Sequence, residues 1–150
     1  MSSPITVPQV ARSITTSIPG PKSVALQKRY GEYVSAGVGQ LMPIFADHAS
    51  GSTITDVDGN RFIDLAAGIA VTGVGNAAPE VVKSIQEEAA KLTHTNFATT
   101  PYAGYVDVCE KLAEHTPGDF PKKSVLLNSG AEAVENAVKI ARKYTGRSAI

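Results

Sequence analysis

The residues best suited to chemistry lie at the corner formed by residues 128–132 (NSGAE), between a short apolar run and a helical pattern. The first amides of a helix have no partner within the helix, and the helix dipole makes that end positive. Ser129, Gly130 and Ala131 are small enough for a phosphate to approach the backbone, and Asn128 can cap the helix. The corner therefore suits an anion, although the pattern alone favours an ordinary capped helix start, because such corners are common.

Two other phosphate-binding motifs are excluded. The chain contains no G-x-x-x-x-G-K-[ST] run, so it has no P-loop. Residues 73–78 (GVGNAA) loosely match the dinucleotide fingerprint, but no acidic residue follows near Ala98, where that fingerprint requires one. A predicted hairpin also precedes this segment, where a dinucleotide fold would have its first strand.

The remaining candidates for chemistry are weaker. His48, His94 and His115 are far apart and lack metal-ligand spacing, so we expect no metal site. The single cysteine, Cys109, lies on an apolar helix face, which indicates a core thiol. Turn chemistry explains Asp58.

The elements that must position the corner follow from the hydrophobic pattern. Two apolar runs that flank Asp58-Gly59-Asn60 predict a hairpin over residues 53–65. Apolar stripes at helical spacing predict the helices. They cover residues 79–92, 102–115 and 131–144. One short helix is also predicted around residues 23–33, within an N-terminal arm that has little periodicity.

Buried, non-helical segments are predicted between the helices. Residues 124–128 have the short apolar run of a buried strand, and residues 66–71 predict a buried segment that ends in a loop. Residues 148–150 could open another strand. This element order is typical of a layered α/β sheet.

Composition narrows the class of protein. Apolar residues make up 43% of the chain and charged residues 19%, which is typical of folded proteins. The formal net charge of zero gives no basic excess for nucleic acid, and no apolar run is long enough to span a membrane. The single cysteine suits a reducing compartment, so we expect the cytoplasm.

The N-terminal segment has a composition that leaves a second location open. It has no acidic residue before Glu32 and is rich in Ser and Thr, as in a mitochondrial transit peptide. Its prolines would break a targeting helix and favour an extended arm instead. They are Pro4, Pro8, Pro19 and Pro21.

From about Pro43 to its end, the chain resembles the class III pyridoxal-phosphate-dependent aminotransferases. Residues 127–142 (LNSGAEAVENAVKIAR) are similar to the phosphate-binding turn and following helix of that class. Residues 64–71 (DLAAGIAV) resemble the stretch that enters its substrate pocket. Residues 43–47 (PIFAD), followed by residues 56–59 (DVDG), resemble the opening hairpin of the class. Residues 91–97 (KLTHTNF) and 117–123 (PGDFPKK) resemble its 4-aminobutyrate (GABA) aminotransferase branch in particular.

The resemblance implies the type I pyridoxal-phosphate fold, an α/β homodimer whose large domain has three α/β/α layers and is incomplete in this chain. The chain would divide into an N-terminal arm, a hairpin segment of the small domain, and the start of the large cofactor-binding domain, at residues 1–45, 46–71 and 72–150.

Site residues are also implied by the resemblance. The backbone N–H groups of Gly130 and Ala131 would hold the phosphate of pyridoxal 5'-phosphate, with Ser129 in the same turn. Ile69 would form the wall of the substrate pocket. Some members have a hydroxyl residue in place of Ala131, but a backbone contact survives that change.

The implied activity is transfer of the amino group of 4-aminobutyrate to 2-oxoglutarate. The lysine, aspartate and aromatic residue that bind the cofactor ring are expected beyond Ile150, so no catalytic residue is assigned and these 150 residues alone should be inactive. Ornithine or acetylornithine remain open as amino donors. A non-catalytic phosphate-binding or interaction module is the alternative from another class, and the exposed edge of a half-built sheet argues against it.

Overall fold

The computed structural model describes residues 12–149, which fall into two units, one ending at Lys91 and the other beginning at Leu92. The first unit contains helix α1, three strands, a short turn α2 and helix α3. Their bounds are Pro21–Tyr33, Ala46–Ser50 (β1), Thr53–Asp56 (β2), Arg61–Ile63 (β3), Ala67–Ala70 and Pro79–Lys91. The second unit contains helices α4, Ala103–His115, and α5, Gly130–Thr145.

The strands form an antiparallel sheet in the order β1-β2-β3. The predicted hairpin is confirmed as β2 and β3, with Ile54 opposite Phe62, and Gly59 turns the chain at φ +85°. The pattern did not predict β1, because its sequence, ADHAS, lacks the apolar alternation of a strand.

The buried side chains of residues 12–149 are polar and lie around the hairpin turn. Asn60 is fully buried, and its Oδ1 accepts hydrogen bonds from the amides of Thr15 and Thr16, both at 2.9 Å. Its Nδ2 donates to Asp56 Oδ2 at 2.9 Å. Because the polar groups are mutually satisfied, this cluster fixes the N-terminal segment to the sheet. The predicted arm is therefore anchored from Ser13 onward, where it pairs with Arg61, while residues 1–11 lie outside the described part.

Helix α1 is capped by a side chain from the hairpin turn. Pro21 occupies the first turn of the helix, where its missing N–H costs nothing, and Gly20 offers no side chain as a cap. The carboxylate of Asp58 instead accepts hydrogen bonds from the amides of Lys22, at 2.7 Å, and Ser23, at 2.9 Å. A Cβ on Gly20 would lie 2.3 Å from Cγ of Asp58, so this approach requires glycine.

The interpretation of Asp58 as a turn residue was therefore wrong for its side chain. The carboxylate of Asp56 closes the turn, because its Oδ1 accepts from the amides of Asp58 and Asn60 at 3.0 and 2.7 Å. Partial desolvation raises the pKa of Asp58, but the hydrogen bonds from Ser23 and Lys22 outweigh it, so the pKa lies below its usual value.

The helices predicted from the apolar stripes are confirmed within about two residues, whereas the predicted burial is not. No apolar side chain within residues 12–149 is fully buried. Ile85 on the α3 stripe is 63% exposed. The segment 66–71, predicted to be buried, carries the exposed side chains of Ile69 and Val71.

The predicted strand over residues 124–128 was wrong. A strand needs a neighbouring strand, and the described part of the second unit contains none. Alternate residues are nevertheless half-buried, at Lys122, Ser124 and Leu126. Ser148 and Ala149 form no strand, and Ile150 lies outside the described residues.

Candidate active site

The N-terminus of α5 leaves two backbone donors open. Ser129 is the N-cap residue, in extended backbone at φ −148° and ψ 159°, and its Oγ accepts from the amide of Glu132 at 3.2 Å. The first backbone bond of the helix runs from the amide of Ala133 to the carbonyl of Ser129, at 3.0 Å. The amides of Gly130 and Ala131 donate to no group between residues 12 and 149.

The acidic residue of this first turn is held by the chain that precedes the helix. Glu132 Oε2 accepts from the amide of Asn128 at 2.9 Å, which completes a capping box displaced by one residue. Asn128, a candidate cap in the sequence, thus contributes its backbone, and Ser129 supplies the capping side chain.

The corner is open to an approaching anion. Ser129, Gly130 and Ala131 are all exposed. A Cβ built on Gly130 would meet no atom within 4 Å. The predicted site residues therefore form an accessible cradle of two free amides at the positive end of a sixteen-residue helix, which fits a phosphate group.

Helix α4 positions the segment that leads into this corner. Tyr105 Oη accepts from the amide of Leu126 at 2.8 Å, and the Tyr105 ring stacks on Phe97 with centroids 4.1 Å apart. The carbonyl of Ser124 accepts a weak hydrogen bond from Sγ of Cys109 at 3.8 Å. Tyr105 lies one helical turn before Cys109 and therefore on the same apolar face of α4, but periodicity does not say which backbone amide a hydroxyl will meet.

The second predicted site, at Ile69, lies on a strained turn. Ala67, Gly68, Ile69 and Ala70 have φ values of 47°, 61°, 62° and 61°, so four consecutive residues are left-handed. Each non-glycine residue in that region costs about 1–2 kcal/mol, and branching at Cβ makes Ile69 a genuine outlier. Its side chain is 92% exposed. Strain of this kind persists only where surrounding contacts enforce it.

The carboxylate of Asp64 supplies contacts at the start of this turn. Its Oδ1 accepts from the amides of Ala66 at 3.1 Å and Ala67 at 2.8 Å, and its Oδ2 accepts from Nδ2 of Asn76 at 3.0 Å. The hydrogen bond from Asn76 contributes most to lowering the pKa of Asp64, followed by that from Ala67. Sequence reasoning missed this role, although the side chain of an Asp commonly bonds to the backbone two residues further on, in an Asx turn.

Asn76 ties the far end of the loop to the sheet. Its backbone pairs with Gly51 through two hydrogen bonds of 2.8 and 2.9 Å, and its Nδ2 also donates to the Gly51 carbonyl at 3.2 Å. Gly75 approaches so closely that a Cβ there would lie 3.2 Å from Cα of Gly51. A cavity of about 330 Å³ lies beside this contact.

Two other classes of site are absent from the described residues. Between residues 12 and 149, no group of three or more His, Cys, Asp or Glu side chains is arranged to hold a metal ion. Within the same range, no helix has the length and apolar character needed to cross a membrane.

Comparison with known proteins identifies the family. Residues 33–150, which include the open corner of α5 and the strained turn, match the model of the family described as "Aminotransferase class-III". This chain belongs to the class III aminotransferases.

Proteins of known sequence and structure show the same relationship. The chain is 56% identical over 142 residues to a 4-aminobutyrate aminotransferase of Mycobacterium tuberculosis strain H37Rv, a match covering 95% of this chain and 32% of that protein. It is 48% identical to a 5-aminovalerate aminotransferase of Pseudomonas aeruginosa, over 84% of this chain and 30% of the relative. The fold matches an omega-transaminase from Sphaerobacter thermophilus with a TM-score of 0.75 at 27% identity, covering 88% of this chain and 30% of that one. The chain thus spans about a third of the length of the curated relatives it matches.

Proposed function

We propose that the protein to which this chain belongs is a pyridoxal-phosphate-dependent aminotransferase that transfers the amino group of 4-aminobutyrate to 2-oxoglutarate. The observation that carries the proposal is the open first turn of α5, which lies within the segment matched by the family. The identity of 56% to a relative named 4-aminobutyrate aminotransferase supports the choice of amino donor.

The residues of the corner have distinct roles in this proposal. The free amides of Gly130 and Ala131 hold the cofactor phosphate, and the helix dipole adds a favourable field. Ser129 fixes the helix start, because its Oγ caps the amide of Glu132. Pyridoxal phosphate, when bound, supplies the electron sink that allows the amino group to be transferred. Tyr105 keeps the corner in place through the amide of Leu126.

Ile69 is proposed to line the pocket for the amino donor. An exposed branched apolar side chain suits the carbon chain of an ω-amino acid, which carries its charges at its two ends. The strain of the turn supports this role, because residues in unfavourable backbone conformations concentrate at ligand sites.

A different donor is the second candidate. The similarity to a 5-aminovalerate aminotransferase favours a donor one methylene longer than 4-aminobutyrate. Ornithine and acetylornithine are further candidates, because solved structures with a similar fold are named ornithine aminotransferase and acetylornithine aminotransferase. A non-catalytic phosphate-binding module, the candidate from another class, would keep the open corner and lack transfer of the amino group.

The wider setting is part of the same proposal. We expect a homodimer in the cytoplasm, with mitochondria as the alternative location. We also expect a division into an arm of residues 1–45, a hairpin segment of residues 46–71 and the start of a cofactor-binding domain at residues 72–150.

The test is an assay of the complete protein with four donors side by side: 4-aminobutyrate, 5-aminovalerate, ornithine and acetylornithine. With 2-oxoglutarate as acceptor, we expect the highest kcat/KM for 4-aminobutyrate, measured as glutamate formed. The purified protein should also show a pyridoxal absorbance band that borohydride shifts. A protein without that band, or one that forms no glutamate from any donor, contradicts the proposal.

A further inference from the structure

The left-handed turn at residues 67–70 is held without help from burial. Ile69 is 92% exposed, so packing within the described residues does not compensate for its strained backbone. The compensation comes from hydrogen bonds on both sides of the turn. Oδ1 of Asp64 accepts from the amides of Ala66 and Ala67, and the carbonyl of Ala67 accepts from the amides of Val71 and Thr72 at 2.8 and 3.0 Å.

Two further contacts join the ends of the turn to the connection between β1 and β2. The amide of Asp64 donates to the carbonyl of Ser52 at 2.8 Å. Asn76 pairs with Gly51, and its single Nδ2 bridges the Gly51 carbonyl and the Asp64 carboxylate at 3.2 and 3.0 Å. The side-chain amide of Asn76 is thus a second link between the start of the strained turn and the β1–β2 connection, beside the backbone bond from Asp64 to Ser52.

We propose that Asp64 and Asn76 are positioning residues, which hold Ile69 in its left-handed conformation and thereby set the preference of the enzyme for the chain length of its amino donor. This inference rests on the proposed function, in which Ile69 contacts the donor. Neither side chain needs to touch the substrate, because each acts through the backbone of the turn.

The expected effect is on selectivity between donors that differ by one methylene. In an apolar pocket, one methylene more or less in the substrate changes kcat/KM by roughly 10- to 200-fold. If the side chain that lines the pocket is misplaced, part of this selectivity is lost. Once the link is removed, Ile69 can relax toward the ordinary backbone regions that a branched residue prefers. The donor pocket then loses its defined wall.

The experiment uses the complete protein with its cofactor and the variant Asn76→Ala, which deletes the side-chain bridge and leaves the backbone pair with Gly51. We expect the ratio of kcat/KM for 4-aminobutyrate over 5-aminovalerate to change by roughly tenfold. The effect should lie mainly in KM for the donor, with an unchanged pyridoxal absorbance band. Asp64→Asn, a milder change that retains an acceptor for the turn amides, should shift the ratio in the same direction and serves if Asn76→Ala fails to fold.

Two comparisons separate positioning from a general structural effect. Asp47→Asn is the matched control, because Asp47 is an exposed carboxylate whose described contact is with His48 at 2.9 Å, and it should leave the ratio unchanged. In an Ile69→Gly background, Asn76→Ala should no longer alter the ratio, because glycine adopts the turn freely and carries no side chain to position.

Specific outcomes overturn the inference. If Asn76→Ala leaves the ratio within about twofold while Ile69→Gly changes it, Ile69 contacts the donor but is not positioned by this link. If Asn76→Ala has the same effect in both backgrounds, its role is structural. A wild-type protein that forms no glutamate from any donor would instead defeat the proposed function. An unaltered ratio in Asn76→Ala and Asp64→Asn, with an altered ratio in Ile69→Gly, would defeat the inference alone.

Discussion

At the scale of single residues, helix capping and anion binding at the corner of α5 depend on neighbouring but different atoms. The Oγ of Ser129 caps the helix at the amide of Glu132, while the amides of Gly130 and Ala131 donate to no group within residues 12–149. Stability and anion binding thus depend on different groups, and a substitution can alter one without the other. The side chain at position 129 is where the two can be separated.

Ser129→Asp is predicted to leave the stability of the protein unchanged and to lower its affinity for pyridoxal phosphate. Aspartate caps a helix about as well as serine, but it places a negative charge beside the phosphate. Two like charges about 4 Å apart repel by roughly 1 kcal/mol even in water, so we expect the Kd of pyridoxal phosphate to rise several-fold. Ser129→Ala should instead lose about 1 kcal/mol of stability through the missing cap. Titration of the apo form of the complete protein and its thermal melt measure the two effects.

The control for this pair is Ser35→Asp, which adds the same charge at an exposed loop position in the other unit. An equal loss of cofactor affinity in Ser129→Asp and Ser35→Asp would show that net charge, and not the α5 corner, governs binding.

At the scale of elements, α1 is joined to the hairpin by the carboxylate of Asp58. The pKa of Asp58 is lowered from its ordinary value of 3.8, so the ionised form is the one that the fold favours. The stability that this contact contributes is therefore complete above that ordinary value and is lost as the pH falls through the lower value of the folded state.

Hydrogen exchange of the α1 amides in the complete protein should reflect this dependence. We expect protection to weaken on acidification below about pH 4, and Asp58→Asn, which removes the charge, to weaken it already at neutral pH and to flatten its dependence on pH. Asp47→Asn, at an exposed carboxylate outside this contact, is the control. Unchanged protection of α1 in Asp58→Asn would refute the assigned capping role.

The elements also show what the sequence could predict. Helices α3, α4 and α5 and the β2–β3 hairpin follow from local pattern, because apolar periodicity, Asp-Gly and capping residues are signals within a few positions. The strand predicted at residues 124–128 needs a partner strand, which local pattern cannot supply. The corner residues could be named in advance, since a free helix start is a local feature. The contact of Asp58 with α1 spans 35 residues, and the Asp64–Asn76 bond spans 12, so neither could be predicted from local pattern.

At the scale of the whole molecule, the described chain is organised by polar contacts and lacks a buried apolar core. Its fully buried side chains are Ser23, Asp56 and Asn60, while the apolar stripes of α3, α4 and α5 are substantially exposed. Chains that leave many large apolar side chains exposed tend to associate or aggregate.

We therefore predict that the isolated 150-residue chain is poorly soluble or molten. It should bind a hydrophobic dye such as anilinonaphthalene sulfonate and lose its helical signal gradually on heating, as expected for a state without fixed packing. The complete protein, measured in parallel, should melt cooperatively. A sharp cooperative transition of the isolated chain as a monomer would contradict this prediction.

The use of main-chain hydrogens at the α5 corner has a consequence for mutational mapping. Replacing a side chain does not remove the backbone N–H. Alanine scanning would therefore detect no effect at Ala131, however important its N–H is for binding the cofactor. Proline is tolerated in the first turn of a helix and lacks that hydrogen, and an ester in place of the peptide bond removes it without changing the side chain. These two substitutions would measure the contribution of the backbone N–H to cofactor binding, which side-chain substitutions do not detect.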